Sequence, residues 1–244
     1  MLYLEDKVAK IVDIVSKVLP KDGQIGVFDD DCDYFYGDYE SKIYRALEKI
    51  DPFVEVNHGM SKMVIISSLI DYVIKIPLTG IWVQSCDENG DYIDDDYWFD
   101  EFAYGGGENG DDYCAEEVNI YETVLEEHPE YTFIFPETMF YKQIDGVKYY
   151  LQEKCKCGGG CLKEDSSEIA VSTGDEICTD RDHQYAPIQS LPWCIALVEN
   201  YGVEMAKEVL KYLHQIQISD LHNGNIGYNK EGKPIILDFS GFDS

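Results

Sequence analysis

Three polar side chains at fixed spacing constrain this chain more than any other feature. They lie in Ile218-Ser219-Asp220-Leu221-His222-Asn223-Gly224-Asn225-Ile226 and in Leu237-Asp238-Phe239-Ser240-Gly241. Asp220 and Asn225 are five residues apart, and Asp238 follows Asn225 by thirteen. The shorter interval puts Asp220 and Asn225 on one tight loop, with Gly224 supplying backbone freedom between them. Ile226-Gly227-Tyr228 then reads as a strand, Asn229-Lys230-Glu231-Gly232 as a turn and Pro234 to Leu237 as the return strand. A hairpin of that length delivers Asp238 back beside the loop. Taken alone, the same pattern would also describe a hairpin with solvated polar ends.

The form D-L-H-x-x-N-I, a short hairpin and an apolar run ending in Asp-Phe resembles the catalytic core of the protein-kinase-like fold, which includes aminoglycoside and choline kinases. Phosphoryl transfer needs a carboxylate to hold and deprotonate the attacking hydroxyl, and an Asn and a second Asp to hold Mg²⁺ on the ATP phosphates. The resemblance implies Asp220 as the base and Asn225 and Asp238 as the metal ligands, with ATP and Mg²⁺ as cofactors.

Elements upstream extend the resemblance. In Asp71-Tyr72-Val73-Ile74-Lys75-Ile76 a Lys interrupts an apolar strand, which is unfavourable unless its ammonium reaches an anion. The run is similar to the V-A-I-K strand, which implies that Lys75 binds the α and β phosphates. A helix is expected over Tyr113 to Glu127, with Val118, Tyr121, Val124 and Leu125 at helical spacing and Pro129 beyond its end. Glu116, Glu117 and Glu122 are its candidate partners for Lys75. Glu117 is favoured because it shares a face with Tyr121 and lies close to Val118. Before Lys75, Val54 to Ile65 reads as strand, turn, strand, where Gly59, Ser61, Lys62 and backbone amides are candidates for phosphate contact. Phe140 to Gln143 and Val147 to Glu153 form a hairpin through Asp145-Gly146. The second strand resembles the one that leads into an interlobe hinge, so the backbone around Gln152, Glu153 and Lys154 would hold adenine.

Several departures are equally informative. His-Arg-Asp is replaced by Ile218-Ser219-Asp220, which removes the usual anchor of a phosphorylated activation loop, and D-F-G reads D-F-S-G. Only Gly59 stands where a G-x-G-x-x-G loop would be, and three residues follow Gly241. The expected fold is therefore α+β and bilobal, protein-kinase-like, with an antiparallel-sheet small lobe and a truncated, mainly helical large lobe. Residues 1–52 read as a helical extension, with amphipathic helices ending at Pro20 and Asp51-Pro52. Residues 53–154 form the small lobe with an acidic insertion at 86–112, and residues 155–244 form the hinge insertion and large lobe. Pro192 to Asn200 and Val203 to His214 read as large-lobe helices.

The chain has 244 residues, 45% of them hydrophobic, enough for a substantial core. Its 48 acids against 19 bases give a formal charge of −29, which argues against direct nucleic-acid or anionic-membrane binding and favours cationic partners. Asp29 to Asp33 and Asp87 to Asp112 are acidic runs, and the second reads as a solvated long loop. No signal peptide or membrane span is evident, and eight cysteines without a secretory signal suit reduced thiols in a cytoplasm. Cys155, Cys157 and Cys161, with Cys178 downstream, read as loop cysteines, zinc being the alternative. Residues 163–184 read as a flexible insertion.

The resulting expectation is an ATP- and Mg²⁺-dependent phosphotransferase resembling minimal kinase-like proteins of bacteria and phages. Its acceptor would be a protein or an amine-bearing small molecule. The alternatives are a pseudokinase scaffold or inhibitor that binds a basic partner through its acidic surface, and transfer of nucleotide in place of phosphate.

Overall fold

A computed structural model describes residues 2–21, 23, 25–30, 33–35, 39–59, 61–89, 92–100, 112–157, 172, 174, 188–189, 191–218, 220–221 and 224–240. The fold is α+β, and the chain divides into two compact units. The first comprises Met1–Val118 and Thr138–Glu153, and the second Asn119–Glu137 and Lys154–Ser244.

In the first unit, strands β3 (Glu55–His58), β4 (Lys62–Ile66), β5 (Tyr72–Pro77), β8 (Thr138–Ile144) and β9 (Val147–Glu153) form an antiparallel sheet. Their order is β3-β4-β5-β9-β8. Alternation along a strand sorts side chains onto two faces. One face carries Val56, Met63, Ile65, Ile74, Ile76, Val147, Tyr149 and Leu151. These share a core with Val8, Ile11, Val12 and Val15 of helix α1 (Leu2–Ser16) and Ile43 and Leu47 of helix α2 (Tyr39–Leu47). The helices expected as an N-terminal extension thus contribute to the sheet's own core. The β8–β9 turn has positive φ at Asp145 (49°) and Gly146 (85°), the two-residue geometry whose twist matches an antiparallel hairpin.

A second sheet in this unit has the order β2-β1-β6-β7, from β1 (Gly26–Asp30), β2 (Asp33–Phe35), β6 (Gly80–Cys86) and β7 (Tyr92–Asp100). This corrects the expectation of a long loop from residue 86: Tyr92–Asp100 is a strand, antiparallel to β6. The physical reason is register. Phe35, Phe28, Trp82 and Phe99 fall in one row across the four strands, and aromatic residues have high strand propensity. The aspartates of β7 lie on an edge strand, where charge is tolerated and discourages pairing with another chain. Residues 101–111 lie outside the described residues.

Helix α3 (Tyr113–Glu127) begins in the first unit and ends in the second. The second unit continues with a 3-10 helix (Pro129–Ile134), β10 (Lys156–Cys157), β11 (Ile188–Gln189), α4 (Leu191–Tyr201), α5 (Val203–Gln215), β12 (Asp220–Leu221), β13 (Ile226–Tyr228) and β14 (Pro234–Ile236). Trp193, Leu197, Val209, Leu210, Leu213 and Ile236 form its core with Val124, Ile134 and Phe135. Gly202, with φ 81°, separates α4 from α5. Cys157, expected in a loop, is a strand residue opposite Gly227. Cys161, Cys178 and residues 163–171, 173 and 175–184 lie outside the described residues, among which no group of His, Cys, Asp and Glu could hold a metal ion. No helix among the described residues is long and apolar enough to cross a membrane.

Candidate functional site

The second face of the five-stranded sheet carries a buried polar group. Register puts Val64, Lys75 and Tyr150 directly opposite one another on β4, β5 and β9, so Lys62, Lys75, Tyr150 and Gln152 share that face. Lys75 Nζ donates to both carboxylate oxygens of Glu117 on α3, at 2.9 Å to Oε1 and 2.8 Å to Oε2. Lys62 Nζ donates to the same Oε1 at 2.9 Å. All three residues are buried, Glu117 completely. Such charges are retained in a protein interior only when paired, so each holds the others in position. Gln152 is buried and donates to Thr138 Oγ1 at 3.2 Å.

The start of α3 is fixed independently. Asp112 Oδ1 accepts the Ala115 N–H at 3.0 Å, a helix N-cap, while its Oδ2 accepts Lys148 Nζ at 2.9 Å and the Tyr150 hydroxyl. Burial, then the hydrogen bond to Asp112, pushes the Tyr150 phenol well above its usual value. Burial likewise pushes up the thiol of Cys114, one helical turn before Glu117 and within the fields of Lys62 and Lys75. Cys114, Val118 and Tyr150 form a small apolar cluster that docks this turn of helix on the sheet.

The turn between β3 and β4 places the remaining candidates. Gly59 N–H donates to the Lys62 carbonyl at 2.9 Å, and the Ser61 carbonyl accepts the Leu78 N–H at 2.9 Å. Gly59 has open space around its Cα and no left-handed φ, so neither sterics nor backbone geometry there requires a glycine. Lys62, a candidate phosphate contact, is the first residue of β4, and its ammonium is bonded to Glu117. Gln152 lies between Val73 on one side and Thr138 on the other, and Glu153, the last residue of β9, is opposite Tyr72.

In the second unit, β13 and β14 pair as a hairpin with Ile226 opposite Ile236 and Tyr228 opposite Pro234. Its turn is held by Asn229 Oδ1, which accepts the N–H groups of Glu231 (3.1 Å) and Lys233 (2.9 Å). At its base the Asn225 carbonyl accepts the Leu237 N–H at 2.7 Å and the Asp238 N–H at 3.4 Å, so the main chains of Asn225 and Asp238 abut. Asp220 is anchored through its backbone, in a parallel bridge from β12 to Ile188 of β11. Each of the three polar residues is followed by a buried apolar one: Leu221, Ile226 and Phe239 all enter the same core, Phe239 edge-on to Phe135 at 5.1 Å. Of Asp220 only the backbone is described, and Ser219, His222 and Asn223 lie outside the described residues.

The structure therefore brings Lys75 to Glu117 in one unit and Asn225 to Asp238 in the other. Sequence reasoning missed the bond from Lys62 to Glu117. The alternation Lys62-Met63-Val64-Ile65 held the signal, but it needs the pairing of Val64 with Lys75 to become legible. Compared with family models, curated proteins and solved structures, the chain matches none.

Proposed function

We propose that this chain is an ATP- and Mg²⁺-dependent phosphotransferase of the kinase-like, bilobal type. The observation that carries the reading is the buried Lys75–Glu117 pair, on the sheet face opposite the one that packs on α1 and α2. A carboxylate on a helix that fixes the ammonium of a strand lysine is the arrangement by which kinases aim a lysine at phosphate oxygens. The juxtaposition of Asn225 and Asp238 is the second support.

In this reading Lys75 binds the ATP phosphates, Glu117 orients Lys75, and the β3–β4 turn at Gly59 and Ser61 covers the phosphates. The backbone from Gln152 to Lys154 receives adenine. Asn225 and Asp238 offer an amide and a carboxylate oxygen, hard donors of the type Mg²⁺ accepts alongside water and substrate phosphates. When bound, the ion supplies neutralisation of charge on the phosphates. Asp220 accepts the proton of the attacking hydroxyl, and the acceptor is a protein or an amine-bearing small molecule. The test is turnover of Mg²⁺-ATP against basic proteins and aminated small molecules, with intact mass read in parallel for self-modification. Asp220→Asn abolishes turnover while leaving ATP binding in place; undiminished turnover in that variant refutes the reading.

A second reading, a scaffold that binds a basic partner, is favoured by one observation, the run Asp94-Asp95-Asp96 on the edge strand β7. Under it, Asp220→Ala and Asp238→Ala bind the partner as the wild type does.

A further inference from the structure

Lys62 and Lys75 stand on neighbouring strands and on one face of the sheet, two residues out of direct register. Both ammonium groups donate to Glu117 Oε1 at 2.9 Å, so they lie within two hydrogen-bond lengths of each other. Convergence of like charges in a buried setting is costly, and it is tolerated here because Glu117 holds both. Two ammonium groups held that close can both meet oxygens of one polyphosphate, whose successive phosphates each carry charge.

We infer that Lys62 and Lys75 together form a two-cation clamp for the polyphosphate tail of a nucleotide, with Glu117 setting the distance between them. The inference rests on the proposed phosphotransferase reading and deepens it. Lys62 adds a second cation to the phosphate contacts of Lys75, so the pair favours ligands with phosphates in succession over a single phosphate. Lys62 thereby becomes a specificity-determining residue. It follows directly on the β3–β4 turn, so the same short segment that covers the phosphates also delivers the second cation.

The experiment is calorimetric titration of the full chain with ATP, ADP, AMP, adenosine and inorganic tripolyphosphate. The proteins are wild type, Lys62→Gln and Lys62→Arg, with circular dichroism and thermal melting to verify folding. Glutamine keeps a donor for Glu117 and removes the charge, and arginine keeps the charge, so at least one informative variant retains the buried contact. The expected result is a loss of tenfold or more in ATP and tripolyphosphate affinity for Lys62→Gln. Adenosine and AMP would be unchanged, and Lys62→Arg would stay close to wild type. Equal weakening of ATP and adenosine, or no weakening, overturns the clamp while leaving the ATP reading intact. Binding of tripolyphosphate that depends on Lys62, with no preference for adenine nucleotides, keeps the clamp and overturns the ATP reading. Wild type that binds neither ATP nor tripolyphosphate overturns both.

Discussion

Glu117 accepts from two lysines while fully buried, so its removal leaves two ammonium groups without the carboxylate that positions them. Loss of one partner from a buried ion pair costs about 3–5 kcal/mol, well above the value of a surface pair. Glu117→Ala is expected to lower stability by that order in urea unfolding. A Lys62→Met, Lys75→Met, Glu117→Leu triple variant should recover part of the loss, because replacing all three charges with apolar groups removes the desolvation penalty. Asp51 makes a second prediction at this scale. Burial raises its pKa, but hydrogen bonds from the Ser67 and Ser68 hydroxyls and the Phe53 and Ser68 N–H groups outweigh that and hold the carboxyl below its ordinary 3.8. The carboxylate form is thus favoured by folding. Its contribution is complete above pH 3.8 and is lost as pH falls through the lower, folded-state value. The stability difference between wild type and Asp51→Asn should accordingly shrink as pH is lowered below that point.

The β13–β14 hairpin shows how an element sets a site. Gly227 lies where a Cβ would stand 2.4 Å from the Lys156 carbonyl oxygen and 2.8 Å from Leu237 Cδ1. The first obstacle is backbone of the paired strand β10, which a side-chain rotation cannot relieve. Gly232, in the turn, has open space but φ 77°, a strain of about 1 kcal/mol for alanine. Gly227→Ala should therefore destabilise more than Gly232→Ala in parallel denaturant titrations, and should weaken any function that depends on Asn225 and Asp238. Local elements of this kind were legible in the sequence. The hairpin, helix α3 and the Asp145-Gly146 turn are written in contiguous residues by periodicity and turn chemistry. The four-stranded sheet was not. Its centre is a parallel pairing of Gly26–Asp29 with Gly80–Val83, between segments distant in sequence, and neither segment carries a register signal. Low strand propensity of aspartate then made β7 read as loop, although its aromatic residues fall in register with β6. The bond from Lys62 to Glu117 was hidden for the same reason, since it depends on strand pairing.

For the whole molecule, the division into two units distributes the candidate residues: Lys62, Lys75 and Glu117 belong to one, Asn225 and Asp238 to the other. Each group is fixed by its own core, so each can be tested by itself. A formal charge of −29 works against attracting a polyanion from a distance. Ligand that binds only the folded state raises the melting temperature by mass action. The most direct measurement is the melting temperature of wild type, Lys75→Met and Asp238→Asn with and without millimolar Mg²⁺-ATP. The account predicts a concentration-dependent rise of several degrees in wild type that is lost or sharply reduced in both variants. An unchanged melting temperature in wild type, or an equal rise in all three, would contradict it.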